Sequence, residues 1–111
     1  MRWFKTGRHF PTRVYRVFRV PAARAADVDV LRKDDLVSRQ SIEVREASAL
    51  GVPGEGSIVL IEGSEAALVQ AEALLRNLGS VLKGADAEHA YRRFRSQDED
   101  AASGMGLIFG G

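Results

Sequence analysis

Ile58-Val59-Leu60-Ile61-Glu62-Gly63-Ser64-Glu65-Ala66-Ala67-Leu68 is the stretch from which the rest of this chain is read. Ile58 to Ile61 is continuously apolar and mostly β-branched. Such a run predicts an interior strand covered on both faces. Gly63 and Ser64 break it. The Ser64 hydroxyl suits a helix N-cap, where it accepts from an otherwise unpaired first-turn amide. Glu65 then puts negative charge at the positive end of the helix dipole. Ala67, Leu68, Ala71, Leu74, Leu75 and Leu78 share one face of the helix so begun, and Glu65, Gln70, Glu72 and Arg76 share the other. The spacing predicts a helix over 64–78, with a Glu72–Arg76 pair across one turn and Gly79 as its left-handed end.

Upstream, Ile42 and Val44 alternate with Ser41, Glu43 and Arg45, so a strand with one apolar face is expected. Gly51-Val52-Pro53-Gly54-Glu55-Gly56 is a turn cluster, and the two strands around it form a hairpin with a long loop. Further back, Arg13 to Val20 is rich in β-branched and aromatic residues. Val14, Phe18 and Val20 fall on one face of that strand, Tyr15, Val17 and Arg19 on the other, and Pro21 stops it. Alanines at 22–26 favour a short helix over 22–34, with Leu31 and Leu36 as its core contacts.

Downstream, Ala87, Ala90, Tyr91 and Phe94 repeat at helical spacing behind Asp86 as a cap, with Arg92, Arg93 and Arg95 pointing outward. Residues 96–104 are polar and acidic and read as a linker. The last strand is either 80–83 or 106–109.

The order of elements is strand, helix, strand, strand, helix, strand. The expected class is α+β, a two-layer sandwich of ferredoxin-like β-α-β-β-α-(β) plan. Its sheet is antiparallel, with an extra C-terminal helix and a short tail. Residues 1–11 form a basic N-terminal arm, 12–97 a single α+β domain, and 98–111 an acidic linker with an apolar, Gly-rich tail. Ile58 to Leu78 resembles the strand–Gly–helix unit of ferredoxin-like modules such as ACT-type regulatory domains and microcompartment shell proteins. That likeness includes no diagnostic motif and implies no site. Gly51-Val52-Pro53-Gly54 matches the Gly-x-x-Gly loop of KH domains, but it joins strands rather than helices and is followed by Glu55, which repels phosphate.

Composition removes several chemistries. The 111 residues include no cysteine, so disulfides, thiolate ligands and cysteine nucleophiles are excluded. No apolar run approaches the roughly 20 residues that cross a bilayer. Arginines interrupt every apolar block at the front of the chain that could serve as a secretory signal, and a cytoplasmic protein is expected. His9 and His89 have no partner at a metal-ligand spacing. No serine sits in a recognisable pairing with a histidine. Glu62, closing the most apolar strand, is read as a strand-end carboxylate reaching first-turn amides rather than as a catalytic base. No catalytic residue, cofactor or metal is therefore expected, and the chain is read as a non-enzyme.

Charge is the remaining signal. Residues 1–20 carry six basic side chains and no acid, whereas 21–111 carry ten basic and fifteen acidic ones, which leaves the whole at +1. Arg2, Lys5, Arg8, Arg13, Arg16 and Arg19, interleaved with rings including Trp3 and Phe10, form a candidate polyanion-binding segment. The leading expectation is a non-catalytic binding or assembly module that associates with itself. The alternative is a nucleic-acid-binding protein, or one that binds a protein partner, through residues 1–20. A membrane partner is not expected.

Overall fold

The structure is a computed structural model and describes residues 14–110, with side chains described as far as Glu99. Residues 1–11, expected as an arm, lie outside the described part. The elements are β1 (Val14–Val20), a 3-10 segment (Ala22–Asp29) running into α1 (Val30–Lys33), a 3-10 turn (Val37–Arg39), β2 (Ser41–Glu46), α2 (Ala47–Leu50), β3 (Ser57–Gly63), α3 (Glu65–Leu75), β4 (Ser80–Leu82) and α4 (Gly84–Gly110). The four strands form one antiparallel sheet in the order β2-β3-β1-β4. The fold is α+β.

The continuous apolar run behaves as its pattern requires. β3 is central, paired to β1 by Ile61↔Arg16, Leu60↔Val17 and Val59↔Phe18, and to β2 by Leu60↔Glu43 and Val59↔Val44. Period-two alternation sends its residues to opposite sides. Val59 and Ile61 join Phe18, Val20, Leu31, Val37, Leu68 and Leu75 in one buried cluster. Ile58 and Leu60 join Val17, Leu50, Ala90 and Phe94 in a second. The sheet is therefore covered on both faces, by α1 and α3 on one side and by α2 and α4 on the other. This corrects the two-layer expectation. The helix counted as an extra is a third layer, because a sheet apolar on both faces leaves one exposed until something covers it.

Local chemistry explains where other elements depart from the pattern. The helix expected over 22–34 is a 3-10 run after Pro21 followed by one α turn. Leu31 is buried as expected, but Leu36 is exposed and Val37 takes its place in the core. Asp34 causes that shift. Its Oδ1 accepts from the amides of Leu36 and Val37, both at 2.9 Å, and so turns the chain into the next 3-10 turn.

Ser64 caps α3 as predicted, accepting from the Ala67 amide at 3.3 Å. The helix nevertheless ends at Leu75, short of 78. Gly79 is not left-handed. It is glycine because a Cβ there would run into the carbonyl oxygen of Arg19, as β4 comes in beside β1. Gly56 meets the neighbouring Val20 carbonyl in the same way, and also has φ +88°. The end of β1 is thus approached closely from both sides, which only residues without side chains permit.

α4 begins at Gly84, φ +57°, so Asp86 lies in its first turn rather than capping it. Its backbone stays helical to Gly110. Residues 96–104, read as a linker, and 106–109, the alternative last strand, are part of this helix, and the fourth strand is Ser80–Leu82. No helix among the described residues is long and apolar enough to cross a membrane.

Candidate functional site

The strand faces decide where the predicted polyanion-binding residues go. Arg2, Trp3, Lys5, Arg8, Phe10 and Arg13 lie outside the described residues. Arg16 and Arg19, on β1, fall on opposite faces of the sheet. Arg16 Nε donates to Glu72 Oε2 of α3 at 2.9 Å, and its Nη1 donates to the Tyr15 carbonyl at 3.0 Å. The Glu72–Arg76 pair expected within α3 is replaced by this cross-element pair. Arg19 donates to the carbonyls of Pro53 and Glu55, both at 2.7 Å. It pins the glycine loop from beneath. Both guanidinium groups thus serve the fold, and the structure does not gather them into one basic surface. Tyr15 stacks on Tyr91 with ring centroids 4.1 Å apart, and Phe18 is core.

A different constellation forms on the α4 side of the sheet. Tyr91 stacks on Tyr15 of β1, Arg95 donates to Glu62 of β3 at 2.5 Å, and Asp98 meets Arg45 of β2 at 3.5 Å. Positions 91, 95 and 98 lie about one turn apart. A turn rises about 5.4 Å and strands sit about 4.8 Å apart, so each turn of a helix crossing the sheet reaches the next strand. Arg95 also lies 3.7 Å from Glu43 and 3.0 Å from Asp98, and Arg45 lies 3.3 Å from Glu43. Tyr91 donates its hydroxyl to Glu62 at 3.2 Å. The two guanidinium groups cover rings as well, Arg45 over Phe94 at 4.9 Å and Arg95 over Tyr91 at 5.0 Å.

Three carboxylates and two guanidinium groups therefore share one half-buried cluster. Its bond to the Tyr91 side chain, which outweighs the loss of solvent, and the charges of Glu62 and Glu43 hold the Arg95 pKa above the ordinary guanidinium value. A guanidinium so held stays charged at neutral pH. The arrangement ties α4 to β3 and β2 by charge and to β1 by the Tyr91–Tyr15 stack.

The sequence reading missed this cluster. It sent Glu62 to first-turn amides and Arg93 and Arg95 outward. Arg93 instead donates to the Leu50 carbonyl at 2.8 Å, and Arg95 lies over the sheet. The visible signal was Tyr91, Arg95 and Asp98 on one helical face, together with Glu43 and Arg45 on one strand face.

An open depression of about 790 Å³ lies where β4 ends and β1 runs on, lined by Tyr15, Arg16, Glu72, Leu82, Lys83 and Gly84. Its Arg16 and Glu72 are paired to each other. Among the described residues, no group of three or more histidine, cysteine or acidic side chains is placed to hold a metal ion. No protein-family model matches the chain, and no curated protein or solved structure matches it significantly.

Proposed function

We propose that this chain is a small non-catalytic assembly module of ferredoxin-like plan that associates with itself, with a role in the cytoplasm. The strand order, taken from the β4 edge as 4-1-3-2, supports the split β-α-β plan, with α1 and α3 on one face and α4 as an addition.

The observation that carries the self-association is the edge strand β2. It pairs only with β3 among the described residues, and Val44 at its centre is 37% exposed. It contains no proline and pairs with β3 in unbroken register from Ser41 to Glu46, with Glu43, Arg45 and Glu46 as its charged residues. β4, the opposite edge, is protected by being three residues long. A regular edge with Ile42 and Val44 on one face is a template for another strand. Sizing with light scattering over a range of concentrations tests the reading: mass rising with concentration supports it, and a monomer throughout removes it.

The nucleic-acid alternative loses support from Arg16 and Arg19, which are bonded within the fold. It would rest on Arg2, Lys5, Arg8 and Arg13. Titration of labelled RNA and DNA at low and moderate salt tests it, since phosphate contacts weaken steeply with salt.

A further inference from the structure

We infer that the β2 edge receives the basic N-terminal segment of a second copy, residues 1–13, laid as one extended strand beneath the overhang of α4. This deepens the assembly reading and rests on it. The backbone supplies the slot. The Ala47 amide donates to the Gly56 carbonyl at 2.9 Å. With Glu46 opposite Ser57, that bond makes Glu46–Ser57 a non-hydrogen-bonded pair, and alternation along the ladder follows. Ser41, Glu43 and Arg45 then direct their backbone groups to β3. Ile42 and Val44 each direct an amide and a carbonyl to the outer side, where an added strand pairs them.

α4 decides what fits there. Tyr91 stacks on β1, Arg95 bonds β3 and Asp98 meets β2, so the helix crosses the sheet strand by strand. Its backbone stays helical to Gly110, about 18 Å beyond Asp98. With strands about 4.8 Å apart, that extension passes over the position next to β2. A folded copy brought edge to edge, with its own α4 on the same side, runs into it. A single strand does not, because it lies under the helix as β2 does.

Charge selects the occupant. Glu43 and Asp98 are already met by Arg45 and Arg95. Glu46 at the end of β2 and Glu99 on α4 are exposed, and neither has an ion-pair partner among the described residues. The rim of the slot therefore keeps uncompensated negative charge. Residues 1–13 carry Arg2, Lys5, Arg8 and Arg13 and no acid. Pro11 has no amide to give, so residues 2–10 are the stretch able to pair. That is enough to run the six residues of β2, about 20 Å, with the remainder as the link to the second body. When each copy gives its segment to the other, both slots are filled and the assembly closes as a dimer.

The test uses the full chain by light scattering and sedimentation, with circular dichroism to confirm folding. Wild type is expected to reach about 24 kDa, twice the 12.1 kDa chain, and to loosen as salt rises. Val44→Pro removes an outward amide without breaking a bond to β3, and is expected to leave a folded monomer. One variant combines Arg2→Glu, Lys5→Glu and Arg8→Glu; another combines Glu46→Lys and Glu99→Lys. Each sets like charges together and is expected to weaken its own dimer about tenfold or more. Mixing the two puts opposite charges at both slots and is expected to restore a mixed dimer.

Loss of the dimer in the segment variant with no restoration on mixing places the segment elsewhere and overturns this docking. A dimer indifferent to the segment substitutions and to Val44→Pro also overturns it and leaves self-association standing. A wild-type monomer at every concentration overturns both.

Discussion

Arg16 and Glu72 lie 56 residues apart in the chain and meet at 2.9 Å across the sheet–helix boundary. The pair ties β1, inside the basic segment, to the acidic body that follows. One cation that composition offers to an outside polyanion is thereby held by a carboxylate of the same fold.

That pairing predicts a small energy and a specific insensitivity. Both side chains are about a third exposed, 34% and 38%, so solvent screens the pair. A double-mutant cycle of Arg16→Ala and Glu72→Ala, read by urea denaturation, is expected to give a coupling of about 0.2–1 kcal/mol that shrinks in high salt. Arg16→Ala is expected to leave any salt-sensitive nucleic-acid binding unchanged. A large loss of such binding would show that Arg16 exchanges Glu72 for phosphate.

The α4 clamp predicts a larger effect. Arg95 donates to Glu62 and lies over Tyr91. Arg95→Ala is expected to cost about 1.5–3 kcal/mol, as for a hydrogen bond to a charged group in a half-buried setting. Arg92, by contrast, pairs with Glu88 across one turn on the exposed face. Arg92→Ala is expected to change stability by less than about 0.5 kcal/mol. Denaturation midpoints of the two variants measured side by side check the ranking.

The third layer predicts a core penalty in a segment that looks peripheral by position. Phe94 is fully buried against Leu50, Ile58 and Leu60. Phe94→Ala is expected to destabilise by about 3–5 kcal/mol through lost burial and the cavity left behind. Val69→Ala, on the exposed side of α3, is expected to stay within about 0.5 kcal/mol of wild type. If Phe94→Ala behaved like Val69→Ala, α4 would not be part of the core.

Asp34 predicts an acid branch. The Val37 amide first, then the Gln70 side chain and the Leu36 amide, bond its carboxylate and hold its pKa below the ordinary 3.8. The native state then binds fewer protons at this group than the unfolded chain, so stability rises with pH through this window. The contribution is complete above about the ordinary value and fades as pH falls through the lowered one. Denaturation across pH 2 to 7 is expected to show Asp34→Asn less stable than wild type at neutral pH. The gap should narrow below about pH 4. A gap constant with pH would place the effect on shape rather than charge.

Several elements were legible because their signals are local. The apolar run at Ile58–Ile61, the alternation in β1 and β2 and the Ser64 cap each depend on residues within a turn or a pleat of one another. The burial of Ala90 and Phe94 followed from helical spacing alone. The α1 region was harder: its helical span over 22–33 is mostly 3-10 rather than α, and Asp34, by accepting from the amides of Leu36 and Val37, moves the core contact from Leu36 to Val37.

By itself, then, the sequence determined three of the four strands, the principal helix and the apolar faces that must be covered, since hydrophobic period and capping act over a few residues; the fourth strand, left between 80–83 and 106–109, was decided by the structure. Tertiary structure alone decided that α4 is the cover of the second sheet face and that it carries on through a polar stretch with no apolar stripe. It also decided that Arg16, Arg19, Glu62 and Arg95 find partners more than thirty positions away. Side-chain pairing at that separation depends on strand order and register, which no local pattern encodes.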